Sequence, residues 1–214
     1  MAGFSQNADT TKPAARKKAF QEGYYYNWSG VKIPGLIRHK HAVYSVELGT
    51  NYIEFKAIAD DKKKKLTVAD VQSFVLDTDS FAVLRSFKSY YDVYYSKDFV
   101  KVVDTGNVNL FLHYNEKRIT GSDGGPAPVG GIGSTTGSTA TVSAAGIESL
   151  YYAQKNDSVY CVTKKEFKSL SVILFGDNAD LMKKISKKKL SFDNLELITE
   201  EYNHWKALKI VQKP

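Results

Sequence analysis

The chain has 214 residues, 43% of them hydrophobic and 25% charged, with a formal net charge of +7. That balance suits a folded globular chain and excludes wholesale disorder. No apolar run reaches the ~18–20 residues a membrane-crossing helix requires, so the chain is not expected to span a membrane. The single cysteine, Cys161, excludes an internal disulfide, and scarce arginine without a recognition motif argues against a nucleic-acid partner.

Residues 1–18 are polar and lack an apolar period, which reads as a flexible N-terminus. Residues 19–162 read as a β-rich domain. Its first strand covers 20–28 and carries Tyr24, Tyr25, Tyr26 and Trp28. One face in the core accounts for these rings; a sugar-stacking or interface platform is the functional alternative. Ser29-Gly30 turns the chain into a second strand over 31–41, where Pro34 marks an edge or bulge. Further strands are expected at 44–48 and 51–57, then a charged turn at 60–65.

Residues 66–114 organise the rest. Thr67 and Asp70 have the spacing to cap one helical turn. Val71, Ser73 and Val75 then alternate with Gln72, Phe74 and Leu76, and Phe81, Val83, Arg85 and Phe87 alternate with Ala82, Leu84 and Ser86. Period two with β-branched and aromatic residues predicts strands, here joined by a turn at 77–80. Residues 89–97 hold Tyr90, Tyr91, Tyr94 and Tyr95 and read as a long connection, with these four tyrosines the candidate binding residues. A second hairpin pairs 99–104 with 108–114 through Thr105-Gly106-Asn107, where Gly106 is expected at positive φ. Phe111, opposite Leu110 and Leu112, implies that both faces are partly covered.

Residues 121–146 break the composition: eight of the chain's fifteen glycines, almost no charge and no aromatic residue. They read as a flexible Gly/Ser-rich insertion between strands, and the glycine spacing fits no phosphate-binding loop. Strands resume at 148–154 and 158–162, and Cys161 within the second reads as a buried, inert thiol.

Residues 163–214 read as C-terminal helices packed on the sheet. Thr163 and Glu166 form a capping box for a helix burying Phe167, Leu170, Ile173 and Leu174, and Gly176 stops it. Asp177 is expected to cap a second helix that buries Leu181, Met182 and Ile185. Asp193 with Glu196 is expected to cap a third, with an apolar stripe of Leu195, Ile198, Tyr202, Trp205 and Leu208. Strands followed by helices predict an α+β fold: a curved antiparallel sheet or open barrel, then a small helical region. The lysine clusters at 62–65, 183–184 and 187–189 read as solvated faces, with an anionic docking surface as the alternative.

His39 and His41 share one strand face, but no cysteine or carboxylate with ligand spacing accompanies them, so no metal or cofactor is expected. His113 reads as strand surface and His204 as helix surface. Asp77 and Asp79 could pair as carboxylates, yet a turn accounts for them. No nucleophile, zinc or nucleotide motif is present, and no catalytic residue is assigned.

Two segments, LTVADVQSFVLDTDSFAVL with FVKVVDTGNVNLFLHY and DNADLMKKISKKKLSFDNLELITEEYNHW, resemble an uncharacterised family of exported Bacteroidota proteins. The opening Met-Ala-Gly-Phe-Ser-Gln resembles the tail of a signal peptide from that group, without an apolar h-region. The resemblance implies a periplasmic, outer-membrane-associated or secreted location and no established activity. The leading expectation is a non-enzymatic cell-envelope protein that binds a protein partner. A carbohydrate or anionic-polymer binder is second, and a hydrolase with an unrecognised site third.

Overall fold

The computed structural model describes residues 19–43, 51–57, 62–88, 94–119 and 143–211. Among them, eleven strands precede three helices. The strands are β1 (Gln21–Asn27), β2 (Lys32–Lys40), β3 (Ala42–Val43), β4 (Tyr52–Lys56), β5 (Lys64–Leu66), β6 (Val71–Leu76), β7 (Asp79–Lys88), β8 (Tyr94–Asp104), β9 (Asn109–Ile119), β10 (Ser143–Lys155) and β11 (Ser158–Val162). The helices are α1 (Phe167–Phe175), α2 (Ala179–Ser186) and α3 (Leu195–Val211). The chain is thus mostly sheet with a helical end, as an α+β fold requires.

Ten strands lie in the order β11-β10-β9-β8-β7-β6-β1-β2-β4-β5, every neighbour antiparallel, and the sheet is not closed. β3 lies off this path. It follows directly on β2 yet pairs in parallel with β9, Ala42 opposite Asn115. β2 and β9 are far apart along the path, so that pairing requires the sheet to curl. β11 likewise comes within 8 Å of β7. Each approach encloses a core. Ile37, Ile53, Phe74, Phe81 and Phe99 form one cluster; Leu84, Phe87, Tyr95, Val100, Phe111 and Tyr152 form another. Phe99 and Val100 are neighbours in β8 yet belong to different clusters, so the strand is buried on both faces.

The alternation holds with two local breaks. Between β1 and β6 the register shifts: Tyr26 faces Ser73, but Asn27 faces Val71. The extra residue, Gln72, is a bulge, and it lets both Val71 and Phe74 point inward although they are three apart. Ser86 has φ of 52°. That left-handed residue places Phe87 in the same cluster as Leu84, which an unbroken pleat forbids.

Several expectations are corrected. Lys64 and Lys65 are not in a turn but, with Leu66, form the edge strand β5. Tyr94 and Tyr95 open β8 rather than lying in a connection. β10 begins at Ser143, inside the expected insertion, and pairs with Ile119; residues 120–142 lie outside the described residues, as do the strand expected at 44–48 and the N-terminus expected to be flexible. Pro34 sits in an interior strand, opposite Tyr24 of β1 and just outside the stretch, from Leu36 onward, where β2 pairs with β4. Gly106 is not at positive φ. A side chain there would place its Cβ 2.6 Å from the Asn203 carboxamide, so close approach of α3 is what demands glycine.

The helices cover β8 to β11 through Leu174, Phe175, Leu181, Leu195, Ile198 and Tyr202, which meet Val108, Leu110, Ala153 and Val162. The helix caps differ from expectation. Asn178, not Asp177, caps α2 by accepting from the Leu181 N–H at 3.1 Å. Ser191 with Asn194, rather than Asp193 with Glu196, forms the capping box of the 3₁₀ turn entering α3. Ile173 and Leu208, expected in apolar stripes, are half exposed, and Trp205 is half-buried; Ser171 and Phe175 are buried instead. Lys155, at the end of β10, donates to the carbonyls of Ile173 and Leu174, satisfying the C-terminus of α1.

Asp177 serves α3 instead. The fully buried Tyr202 donates its hydroxyl to Asp177 Oδ1 at 2.8 Å, and Lys206 donates to Oδ2. Burial alone would raise the Asp177 carboxyl, but Lys206, Tyr202 and the Lys155 charge outweigh it and hold it below the usual carboxylate range. Burial, then Asp177, push the Tyr202 phenol upward. Tyr151, donating to Glu196 Oε1 at 2.6 Å, is pushed up to about 12, first by burial and then by Glu196. Asn203 accepts from the Val108 N–H at 2.9 Å and donates to the Val108 carbonyl and to Asp104, tying α3 to the β8–β9 turn.

Asn203→Ala removes three hydrogen bonds and should cost about 2–3 kcal/mol in urea denaturation. Gly106→Ala should destabilise the wild type but much less the Asn203→Ala background, because the clash is with that side chain; equal costs in both would show the two positions are uncoupled. For Asp177 the depressed folded pKa sets the sign: its contribution is full above the unfolded value of about 4 and fades as pH falls below it. The stability gap between wild type and Asp177→Asn should therefore shrink between pH 5 and about 3; a gap that stays constant would contradict it.

Candidate functional site

Two polar constellations stand out in the curled sheet. The first is fully buried: Asn51, Asp98 and His113 have no exposed surface. β8 and β9 pair through Lys101 opposite Leu112, and the same register would next set Phe99 against Tyr114. There the strands part, because β9 goes on to pair with β3. The side chains fill the gap. Asn51 Nδ2 donates to the Tyr114 carbonyl at 3.1 Å and lies 3.5 Å from the Phe99 carbonyl. Asp98 Oδ1 accepts from the Phe99 and Asn51 backbone N–H groups, both at 2.8 Å. Its Oδ2 accepts from Asn51 Nδ2 at 3.1 Å and from His113 Nε2 at 2.8 Å.

His113 is therefore not a surface residue, as its position in the strand had suggested. Its ring sits edge-on to Phe87, Tyr95 and Tyr152, with centroids 5.0 to 6.0 Å away. Both Asp98 oxygens are engaged by donors, and no face of the pair reaches solvent. An aspartate and a histidine so enclosed cannot meet a substrate; they hold the seam between β8 and β9. The sequence signal was a lone carboxylate in the apolar run around Phe99, opposite a histidine flanked by Leu112 and Tyr114.

The second constellation is open. A cleft of about 360 Å³ is lined by Arg38, His39, His41, Asp77, Asp79 and Tyr114, among others. It lies where β2, the β6–β7 turn and β9 converge. The His39 and His41 rings meet at 4.5 Å; His39 also packs on Phe74 and Phe81, and His41 on Tyr114. Arg38 is held by Glu54, 2.5 Å away, which also accepts from Lys63. Burial would raise the Glu54 carboxyl, but these two cations outweigh it and hold it low. Asp79 pairs with Lys101 at 2.7 Å. Burial raises the Tyr114 phenol, with Lys101 working against it.

The arrangement offers polar contacts of both signs. Among the described residues, no group of three or more histidine, cysteine or carboxylate side chains is placed to hold a metal ion. Asp77, with φ of 52°, opens the two-residue β6–β7 turn and Asp79 follows it, and both line the cleft, a proximity the turn reading had left aside.

Of the four tyrosines expected to bind, the two described ones, Tyr94 and Tyr95, lie on opposite faces of β8. Tyr90 and Tyr91 lie outside the described residues. Tyr94 is about half exposed, while Tyr95 is buried and stacks on Phe87 at 4.9 Å, so it belongs to the core. Strand alternation separates such neighbours. Cys161 is half-buried against the same cluster, and His204 is exposed on α3.

Compared with known proteins, the chain matches no family model, no curated protein and no solved structure.

Asp98→Ala leaves the Asn51 amide, the Phe99 N–H and His113 without their acceptor. It should cost about 3–5 kcal/mol, the range for breaking a buried charged network. Tyr114→Phe, which leaves the seam intact, should stay within about 1 kcal/mol of wild type. Chemical denaturation of both variants tests the assignment: a mild effect of Asp98→Ala would show that the seam holds without its carboxylate.

Proposed function

We propose that this chain is a non-enzymatic cell-envelope protein that binds another protein through its helical end, the curled sheet serving as an open-barrel support. One observation carries the reading. Among the described residues, five of the eight exposed large apolar side chains lie on α1 and α3: Val172, Ile173, Leu197, Leu208 and Ile210. Each is half exposed or more. Scattered apolar side chains are normal on any surface. Here they concentrate on two helices whose inner faces already supply the core, and Ile173 and Leu208 belong to apolar stripes that periodicity assigns to burial. Helices with apolar residues on more than one face have more to cover than the sheet alone covers.

The envelope location draws support from the resemblance of two segments to exported Bacteroidota proteins. Chemistry in the seam is disfavoured by its enclosure, and the cleft at β2 holds Arg38 and Asp79 in internal ion pairs.

The binding reading is tested by a photoreactive residue at Ile173 in living cells, with Ser80, exposed on β7, as the control site. A discrete heavier species from Ile173, absent from Ser80 and lost in Val172→Lys, is expected. Identical backgrounds from the two sites would overturn it. Cell fractionation tests the location: recovery confined to the cytosol contradicts an envelope protein.

A further inference from the structure

We propose that the groove between α2 and α3 takes an acidic segment of the protein partner, an inference that rests on the protein-binding reading above. The groove, about 500 Å³, is lined by Lys183, Lys184, Lys187 and Lys189 from α2 and the turn after it, and by Glu201 and Trp205 from α3. Lys184 is neutralised by Glu201. Among the described residues, no carboxylate lies within ion-pair distance of Lys183, Lys187 or Lys189, whereas nearby Lys206 is committed to Asp177. Three uncompensated cations therefore share one concave site.

The plain explanation is that lysines complement the C-terminal end of α2. That end presents roughly half a unit of negative charge. One lysine suffices for it, so three uncompensated charges exceed the need. The turn itself adds to the case. Lys188 closes the helix in the left-handed region, with φ of 56°, and the Lys189 N–H returns to the Lys184 carbonyl. Glycine is the usual residue there, because a Cβ at positive φ is strained. A lysine in that place keeps the basic run from 187 to 189 unbroken.

The groove's chemistry selects among anions. Asp180 lies on its wall, in the first turn of α2, and Glu201 remains within it. A uniformly charged polymer would set its own charges against these carboxylates. A peptide can place acidic side chains at the lysines alone and apolar ones over Trp205, whose ring carries Lys209 at 4.3 Å, and over exposed Leu208, one turn further on. Charge complementarity and continuity with the apolar residues of α3 thus favour an acidic, partly apolar segment.

The test uses the full chain and three fluorescent probes: a glutamate-rich peptide with interspersed leucines, a heparin oligosaccharide and an oligothymidylate. Lys183→Glu/Lys187→Glu/Lys189→Glu is compared with Lys62→Glu/Lys165→Glu/Lys168→Glu, an equal charge change at exposed sites elsewhere. The peptide should bind the wild type and the control alike, and the groove variant roughly tenfold or more weakly, with binding that falls as salt rises. Melting temperatures establish that both variants fold; should the groove triple fail to fold, Lys187→Gln/Lys189→Gln replaces it. No peptide binding, equal loss in both variants, or tighter heparin or oligothymidylate binding through the same lysines would each overturn the inference. Crosslinking from Ile173 that persists in the groove variant would leave the protein-binding reading standing while this one fails.

Discussion

The fold depends on how one carboxylate is satisfied. Moving a charged carboxylate out of water costs several kcal/mol even after relaxation, so Asp98 is tolerable only where donors converge on it. Those donors come from the residue before β4, from β8 itself and from β9. They can meet only if the sheet has curled far enough for the start of β4 to reach the place where β8 and β9 part. The same side chains resolve a second difficulty. Where two strands separate inside a protein, their amides and carbonyls lose their partners, and Asn51 and Asp98 supply replacements. A one-residue slip of β8 would turn Asp98 to the other face and forfeit both functions.

From this seam the rest of the architecture follows. Because β9 exchanges β8 for β3, the sheet can enclose one cluster around Phe99 and another around Val100, instead of leaving one face wet. At the far end of the same two strands the β8–β9 turn becomes the dock for α3. Asn203 reaches into it, Gly106 clears the way, and Tyr202 closes the helical core with its hydroxyl on Asp177. The ion pairs of Asp177 make that closure sensitive to acid, whereas the seam is sealed from solvent.

Much of this was legible in the residue pattern. Alternation located β6, β7, β8, β9 and β11, and the turn residue Asp77 sits at positive φ where turn chemistry put it. The failures have physical causes. A bulge at Gln72 and a left-handed Ser86 change which face a residue meets, and a period-two reading carries no term for either. His113 reads as surface until its partner is known, and that partner lies in another strand. Asp177 was expected to cap α2, but a hydrogen bond from Tyr202 and an ion pair with Lys206 draw it to α3, and Asn178 caps instead. Tyr94 and Tyr95 were read as parts of one surface, yet consecutive strand residues point apart. The helical groove was visible only as clustered lysines, since its depth depends on how α2 and α3 pack.

The edge strand β5 has a bearing on how copies of this chain behave in a crowded compartment. A sheet that ends in a long, flat, apolar strand invites the next molecule to extend it, backbone to backbone, into a growing fibre. Here the last strand is three residues long, and two of them, Lys64 and Lys65, are exposed. A second copy approaching that edge meets like charge and finds few free amides to grasp. At the opposite end, β11 comes close to β7 instead of standing apart. Among the described residues, both ends of the sheet thereby discourage strand-to-strand extension by a second copy.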